Sequence, residues 1–329
     1  MGECGNFAPE PSAAFVSAPW DLGLERRHRR IGRCAIARRQ PEPPQGFMDM
    51  TDGPSPDQWL EACRAAVSGQ QEVFARFEGI ESRSHYDGVG EGGDNTLVID
   101  RLCEDVFFEQ LDLLANAGHS FTAISEERGT VVFGDQASAA QTVVVIDPID
   151  GSLNARRTIP CHSLSVAVAS GMSMSDVEFG YVYEFGASEE FHASLGGGAV
   201  KDGRELLLDE NLGDGLEIVG MEATRPERMV KVADEFTDRV FRLRTPGSLA
   251  VSLVYVAAGR FDGMLSMRGC RSVDAAAGQL IVREAGGYLS FAGEPLEAAA
   301  LDLGPRYHVA AARTKSDLDF LLSAQALLE

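Results

Sequence analysis

Residues 55–329 predict an α/β (layered α+β) protein in two lobes, with a large mixed, mostly antiparallel sheet and a smaller C-terminal α/β lobe. Three observations lead there. Short apolar strands and helices of 3–4 periodicity occur throughout the chain. Between residues 162 and 198, strands follow one another with only glycine-rich breaks, the signal of antiparallel hairpins. After about residue 214, strand and helix alternate again, as in a second layered unit. The seam falls at 198–214, dividing a lobe at 55–200 from one at 201–329.

The first residues differ in composition. Residues 1–46 carry seven arginines against five acids, no lysine, and a proline-rich exit, PEPPQG. A transit peptide would be poor in acids, and a signal peptide needs a longer apolar core. Residues 1–50 are therefore expected to be a disordered or spurious tail, with Met48 or Met50 the functional start.

From Ser55 the chain turns helical. Ser55-Pro56-Asp57 sets a capping hydroxyl before a proline at the first helical position. Trp59, Leu60, Cys63, Ala66 and Val67 then recur on one face. A glycine-rich segment, 88–93, precedes a second amphipathic helix over 100–117. Residues 121–124 read as a strand leading into Glu126, and 143–146 as a buried strand. Further strands are expected over 162–168, 177–183 and 190–194. The second lobe reads as strand 215–220, helix 229–236, helix 248–258, strand 261–266, helix 273–285, strand 307–311 and helix 316–328.

Composition bounds the function. An apolar content of 44% with 24% charged residues is that of an ordinary globular chain. The net charge of −21 argues against nucleic acid or an anionic membrane as partner, since both demand a basic face. Phosphorylated small molecules stay open, because a bound divalent cation reverses the local potential. Six scattered cysteines without a C-x-x-C pair suit reduced thiols in the cytoplasm. No apolar run approaches the length of a transmembrane helix.

Chemistry concentrates in residues 143–154, VVVIDPIDGSLN. Four apolar residues run into Asp147, Pro148, Ile149, Asp150, Gly151 and Ser152. Two carboxylates three apart at a strand end present the oxygen ligands that a hard cation such as Mg²⁺ takes. Pro148 fixes φ, Gly151 permits a close backbone approach, and the N–H groups of Gly151 and Ser152 can form an anion-binding concavity. By itself a D-x-x-D-G stretch is as well explained by an ordinary turn.

The surroundings favour the functional reading. DPIDGSLN resembles the D-P-[IL]-D-G-[TS]-x-N signature of the inositol monophosphatase superfamily. Ser125-Glu126-Glu127 resembles its G/S-E-E segment, and residues 273–278, VDAAAG, its W-D-x-A-A-G segment with Val for Trp. Residues 96–100, TLVID, sit like its T-x-x-D element. The likeness runs from about Trp59 to the C-terminus, and is nearest to archaeal-type enzymes acting on inositol monophosphate, fructose 1,6-bisphosphate or both.

The resemblance implies an αβαβα sandwich and a phosphomonoesterase that uses two or three Mg²⁺ ions and metal-activated water. By it, Glu126, Asp147 and the Ile149 carbonyl hold one ion, and Asp147, Asp150 and Asp274 a second. Ser152 would orient the attacking water, and Asp100 would assist it or hold a weak third ion. Asp150 and the Gly151 and Ser152 amides would meet a small-molecule phosphate ester, with a homodimer as the expected assembly. Plainer roles compete: Asp100 and Asp274 each begin a helix and could simply cap it. Glu126-Glu127 could be a solvated pair, and His162 on a strand suits packing better than catalysis.

Substrate choice is where the pattern breaks. Animal inositol monophosphatases carry a glutamate several residues before the W-D motif, whereas residues 265–271, LSMRGCR, contain no acid. Arg268 and Arg271 are candidates for binding a second phosphate, or for pairing with nearby carboxylates. Gly247 and Ser248 begin a helix whose N–H groups suit an oxygen-rich ligand. Arg156 and Arg157 add cations beside the signature. Inositol monophosphate or a related sugar phosphate leads as substrate, with fructose 1,6-bisphosphate and a nucleotide 3′-phosphate as alternatives. From another class, a catalytically silent metal- or sugar-phosphate-binding regulator is opposed by the intact ligand-type residues.

Overall fold

Ser55 caps the first helix as its sequence requires. Its hydroxyl accepts from the Gln58 N–H, and the Gln58 side chain returns to the Ser55 N–H. The structure, a computed structural model, describes residues 53–91, 95–208, 215–292 and 294–328. The expectation for residues 1–50, part of the glycine-rich segment, and Cys4 and Cys34 lie outside them. Cys63, Cys103, Cys161 and Cys270 are free thiols.

Helix α1 (Pro56–Arg76) and the one-turn α2 (Ile80–Arg83) lead to an antiparallel pair, β1 (Tyr86–Val89) and β2 (Asn95–Leu97). Then come α3 (Val98–Asn116), β3 (Phe121–Ser125), β4 (Gly129–Phe133), α4 (Gln136–Ala139) and β5 (Val143–Asp150). After α5 (Ser152–Arg156) follow β6 (Ser163–Ala169), β7 (Val177–Glu184), β8 (Glu189–Ser194), β9 (Gly198–Lys201) and β10 (Arg204–Leu206). Next are β11 (Leu216–Glu222), α6 (Pro226–Phe236), β12 (Val240–Arg244), α7 (Leu249–Ala257) and β13 (Gly263–Ser266). Finally come α8 (Ser272–Glu284), β14 (Tyr288–Phe291), β15 (Val309–Ala312) and α9 (Lys315–Gln325).

The larger sheet has the order β10-β9-β8-β7-β6-β5-β3-β4, and only its β3–β5 pair is parallel. The smaller runs β12-β11-β13-β15-β14, with β11 parallel to both β12 and β13. Strand alternation sorts the cores into layers. Val144 and Ile146 of β5 pack with Trp59 of α1 and Phe107 of α3. Val143 and Val145 face the other way, into a core shared with α7, α8 and Met264, Val309 and Ala311 of the smaller sheet. Leu265 and Ala310, on that sheet's far side, pack with Val232 and Phe236 of α6 and Leu318 and Leu321 of α9. The order is helix, sheet, helix, sheet, helix: the αβαβα sandwich implied by the sequence. Among the described residues, no helix is long and apolar enough to cross a membrane.

Seven strands among the described residues are not among those expected from the sequence: the pair β1 and β2, and β4, β9, β10, β12 and β14 of the two larger sheets. Four of these, β4, β10, β12 and β14, are the outer strands of the two larger sheets. Among these, β12 reads VFRLR with Phe241 exposed and so lacks the apolar run of an inner strand, whereas β4, GTVVF, does carry one. Helix α8 lies so close to the larger sheet that Gly180 has no room for a side chain. A Cβ there would sit 2.7 Å from the Ala277 carbonyl oxygen. Gly180→Ala should therefore cost about 1–3 kcal/mol of stability, seen as a lower denaturation midpoint. Gly304→Ala, with no atom within 4 Å of the added carbon, should change the midpoint little.

Candidate active site

The site begins where β5 breaks register with β6. Asp147 pairs with Ser165 and Asp150 with Ser163, so β5 uses one residue more than its neighbour between these points. This bulge accommodates Pro148, which has no N–H for the ladder, and explains why the strand continues past Ile146, where the apolar run stops. Gly151 then turns the chain at φ +94° into α5. A Cβ there would lie 3.1 Å from the carbonyl oxygens of both Cys161 and Gly247. Only glycine suits both the conformation and the space.

Asp147, Glu126 from the end of β3 and Asp274 from the first turn of α8 converge. One carboxylate oxygen from each lies within 4.8 Å of the other two. Burial pushes the acidity of all three down. Glu126 is raised to about 8, chiefly by desolvation and also by Asp274, Glu127 and Asp100, against the lowering influence of Arg271. Asp147 is likewise raised by burial, then by Glu126, Asp150 and Asp274. Asp274 is raised by burial and eased by Arg271. Arg271 Nη2 stands 2.6 Å from Glu126 Oε1, and its Nε 3.7 Å from Asp274 Oδ1. The sequence alternatives for Arg271 thus meet one answer here: it pairs with carboxylates.

Asp150 is not one of this trio, and its Oδ2 is taken up at the start of α7. It accepts from Ser248 Oγ at 2.5 Å and from the Ala250 N–H at 2.6 Å. Burial and then Asp274 raise it to about 7, against the lowering effect of these donors. Gly247 N–H goes to Glu222, 3.1 Å from Oε2, so this start of α7 holds two protein carboxylates. Glu222 escaped the sequence reading. It ends β11, is 3% exposed, accepts also from Ser252 Oγ, and is raised to about 8 by burial. The signal was available: an apolar strand running into an acid, as β5 runs into Asp147.

Two of the expected ligands also cap helices. Asp100 accepts from the Leu97 N–H through Oδ2, while its buried Oδ1 has no hydrogen-bond partner. Desolvation raises Asp100 to about 7. Asp274 accepts from the Arg271 N–H at 3.0 Å and still belongs to the trio. Capping and clustering are compatible, since a carboxylate has two oxygens. Ser152 Oγ donates to the Ile149 carbonyl at 2.9 Å. Glu127 accepts from Thr96 Oγ1, which ties β2 to the acidic segment. His162 packs between Phe74 and Phe185, and burial lowers it to about 4. Arg156 donates to the Tyr86 hydroxyl, and Arg157 is exposed.

Asp150, Glu222, Asp274 and Arg271 line a cleft of about 350 Å³ together with Arg268 and Arg306. Arg306 had no sequence signal, because it comes from a loop whose approach to residues 268–271 is set by backbone pairing of Cys270 with Tyr307. A wider cleft of about 610 Å³, lined by Leu216, Arg239 and Phe241 among others, contains none of the trio.

The inositol monophosphatase family model matches residues 55–326. The chain belongs to the inositol monophosphatase family. A fructose-1,6-bisphosphatase/inositol-1-monophosphatase of Archaeoglobus fulgidus is 32% identical over 235 residues, 69% of this chain and 83% of that protein. An inositol-1-monophosphatase of Mesorhizobium japonicum is 33% identical over 205 residues, 60% and 72% of the two chains. The crystal structure of an inositol monophosphatase–fructose 1,6-bisphosphatase superposes with a TM-score of 0.68 at 26% identity, covering 82% of this chain and 98% of that one. Membership makes this inositol monophosphatase family protein a hydrolase of phosphoric monoesters.

The raised carboxylates set a pH dependence. An acid near 4 in the unfolded chain and at about 7–8 when folded favours folding while protonated. That stability is complete below about pH 4 and is lost as pH rises through about 7–8. With divalent ions chelated, the melting temperature should fall between pH 5 and 9, and Asp147→Asn should flatten the slope. Equal slopes in both proteins, measured by scanning calorimetry, would remove this group as the cause.

Proposed function

We propose that this phosphatase is Mg²⁺-dependent and hydrolyses inositol monophosphate or a related sugar phosphate by direct attack of water. The observation that carries this is the convergence of Glu126, Asp147 and Asp274 within 4.8 Å beside an arginine-lined cleft. The donor set fits the ion: all ligands are oxygens, as Mg²⁺ requires, and their mutual repulsion needs a cation to relieve it. Glu126, Asp147 and Asp274 would hold it, with Asp150 and the Ile149 carbonyl completing a site for two or three ions. When bound, Mg²⁺ supplies positive charge that acidifies water and neutralises phosphate oxygens.

The remaining steps belong to the chain. Ser152 Oγ donates a hydrogen bond to the Ile149 carbonyl, so its lone pairs are left to accept from the attacking water and orient it. Asp100 Oδ1, without a partner and on a group raised to about 7, takes a proton from that water near neutral pH. The Gly151–Ser152 turn presents amides to the phosphate. Ser248 and Ala250 keep Asp150 from rotating.

An assay of inositol and sugar phosphates with and without Mg²⁺ tests this reading. Asp147→Asn should lower kcat by about a hundredfold or more, with the fold retained by circular dichroism. Wild-type turnover that survives full chelation would overturn the Mg²⁺ requirement.

A bisphosphate substrate is favoured by a specific feature, the pair Arg268 and Arg306, both exposed in the cleft that Asp274 also lines. Arg268→Ala and Arg306→Ala should each raise KM for fructose 1,6-bisphosphate about ten- to a hundredfold, the cost of one charged hydrogen bond. KM for inositol monophosphate should change much less. Equal shifts for both substrates would return these arginines to a general electrostatic role.

A further inference from the structure

We infer that Arg271 is a resident counter-cation for the carboxylate trio, which a divalent ion must displace and which then serves the substrate cleft. The inference rests on the Mg²⁺ reading above. Arg271 is the N-cap of α8, where its backbone N–H donates to Asp274 Oδ2 at 3.0 Å. That bond anchors its Cα, whereas its guanidinium sits at the end of a long flexible stem. The guanidinium reaches into the trio, 2.6 Å from Glu126 Oε1 and 3.7 Å from Asp274 Oδ1. Arg268 and Arg306, the other arginines of the cleft, are exposed, but the Arg271 side chain is only 15% exposed.

A guanidinium and Mg²⁺ compete for the same lone pairs. Arginine draws on a carboxylate oxygen's lone pairs with N–H donors, which leaves that oxygen a weaker ligand for a metal ion. With its guanidinium 2.6 Å from Glu126 Oε1 and 3.7 Å from Asp274 Oδ1, Arg271 also places a positive charge where a cation would have to come. Without metal, Arg271 offsets part of the repulsion among one buried and two half-buried acids; with metal, it is a like charge beside the ion. Because Arg271 already lines the cleft, its shortest retreat is toward the phosphate ester. Metal loading and substrate binding would thereby be coupled, and the coupling is reciprocal.

The test compares wild type, Arg271→Gln and Arg271→Lys in Mg²⁺ titrations by isothermal calorimetry and in melting curves with chelator or saturating Mg²⁺. Arg271→Gln should lower the Mg²⁺ Kd about tenfold, melt below wild type in chelator, and match it in Mg²⁺. Arg271→Lys, which keeps charge without the planar fork, should fall between. An unchanged or raised Kd in Arg271→Gln would overturn the inference, as would a melting deficit that persists in Mg²⁺. Should Arg271→Gln fail to fold in chelator, the Kd of Arg271→Lys decides: a fall supports the inference and none overturns it. Wild-type protein that binds no Mg²⁺ would instead defeat the metal reading on which this one rests.

Discussion

Like charge held out of water is the constraint on which the rest of this structure depends. Glu126, Asp147 and Asp274 come from three separated stretches of chain and meet, with the charge of Asp150 close enough to act on Asp147. In a poorly polarisable surrounding their repulsion is large, and burial adds to it. Every nearby element answers that repulsion in some measure. Arg271 pairs with Glu126 and approaches Asp274, Ser248 and Ala250 donate to Asp150, and the Ile149 N–H donates to Asp147. The net charge of −21 gives no relief, so cations had to be placed locally.

The layering makes these placements feasible. Helices α7 and α8 form the middle layer, and their shared core touches both sheets. Their N-termini are where positive helix-dipole charge and unused N–H groups gather. Asp150 comes to the start of α7 from the larger sheet, and Glu222 comes to it from the smaller. Asp274 belongs to the first turn of α8. The helix starts that the sandwich requires thus also receive its buried acids. Gly180, with Ala277 against it, shows how closely this middle layer is drawn onto the sheet.

The cleft mixes signs in a way that suits a phosphate ester. Its acids are Asp150, Glu222 and Asp274, and its arginines, 268, 271 and 306, lie along the same lining. Phosphate oxygens call for guanidinium donors, and sugar hydroxyls for acceptors such as a carboxylate. Residues 265–271 contain no acid, and the acid that Glu222 brings to the cleft lining from β11 is already held by the Gly247 N–H and Ser252 Oγ.

What the sequence determined by itself was whatever local pattern can encode. The apolar run of 143–146, the N-cap at Ser55 and the helix starting near Val273 all appear in the structure, and of the carboxylates singled out there Glu126, Asp147 and Asp274 lie together. Buried strands and capped helices carry a periodic signature because each residue's environment repeats along its own element. Only the tertiary structure decided the edge strands, whose environment does not repeat, and the extension of β5 through its bulge at Pro148. It alone turned Asp150 to α7, brought Glu222 and Arg306 to the cleft, and set Arg271 against Glu126. These contacts join residues from different strands, helices and loops, and their energies depend on burial and charge that no stretch of sequence contains. The chemistry could be read along the chain, but the direction in which each charge points was fixed by the packing of the layers.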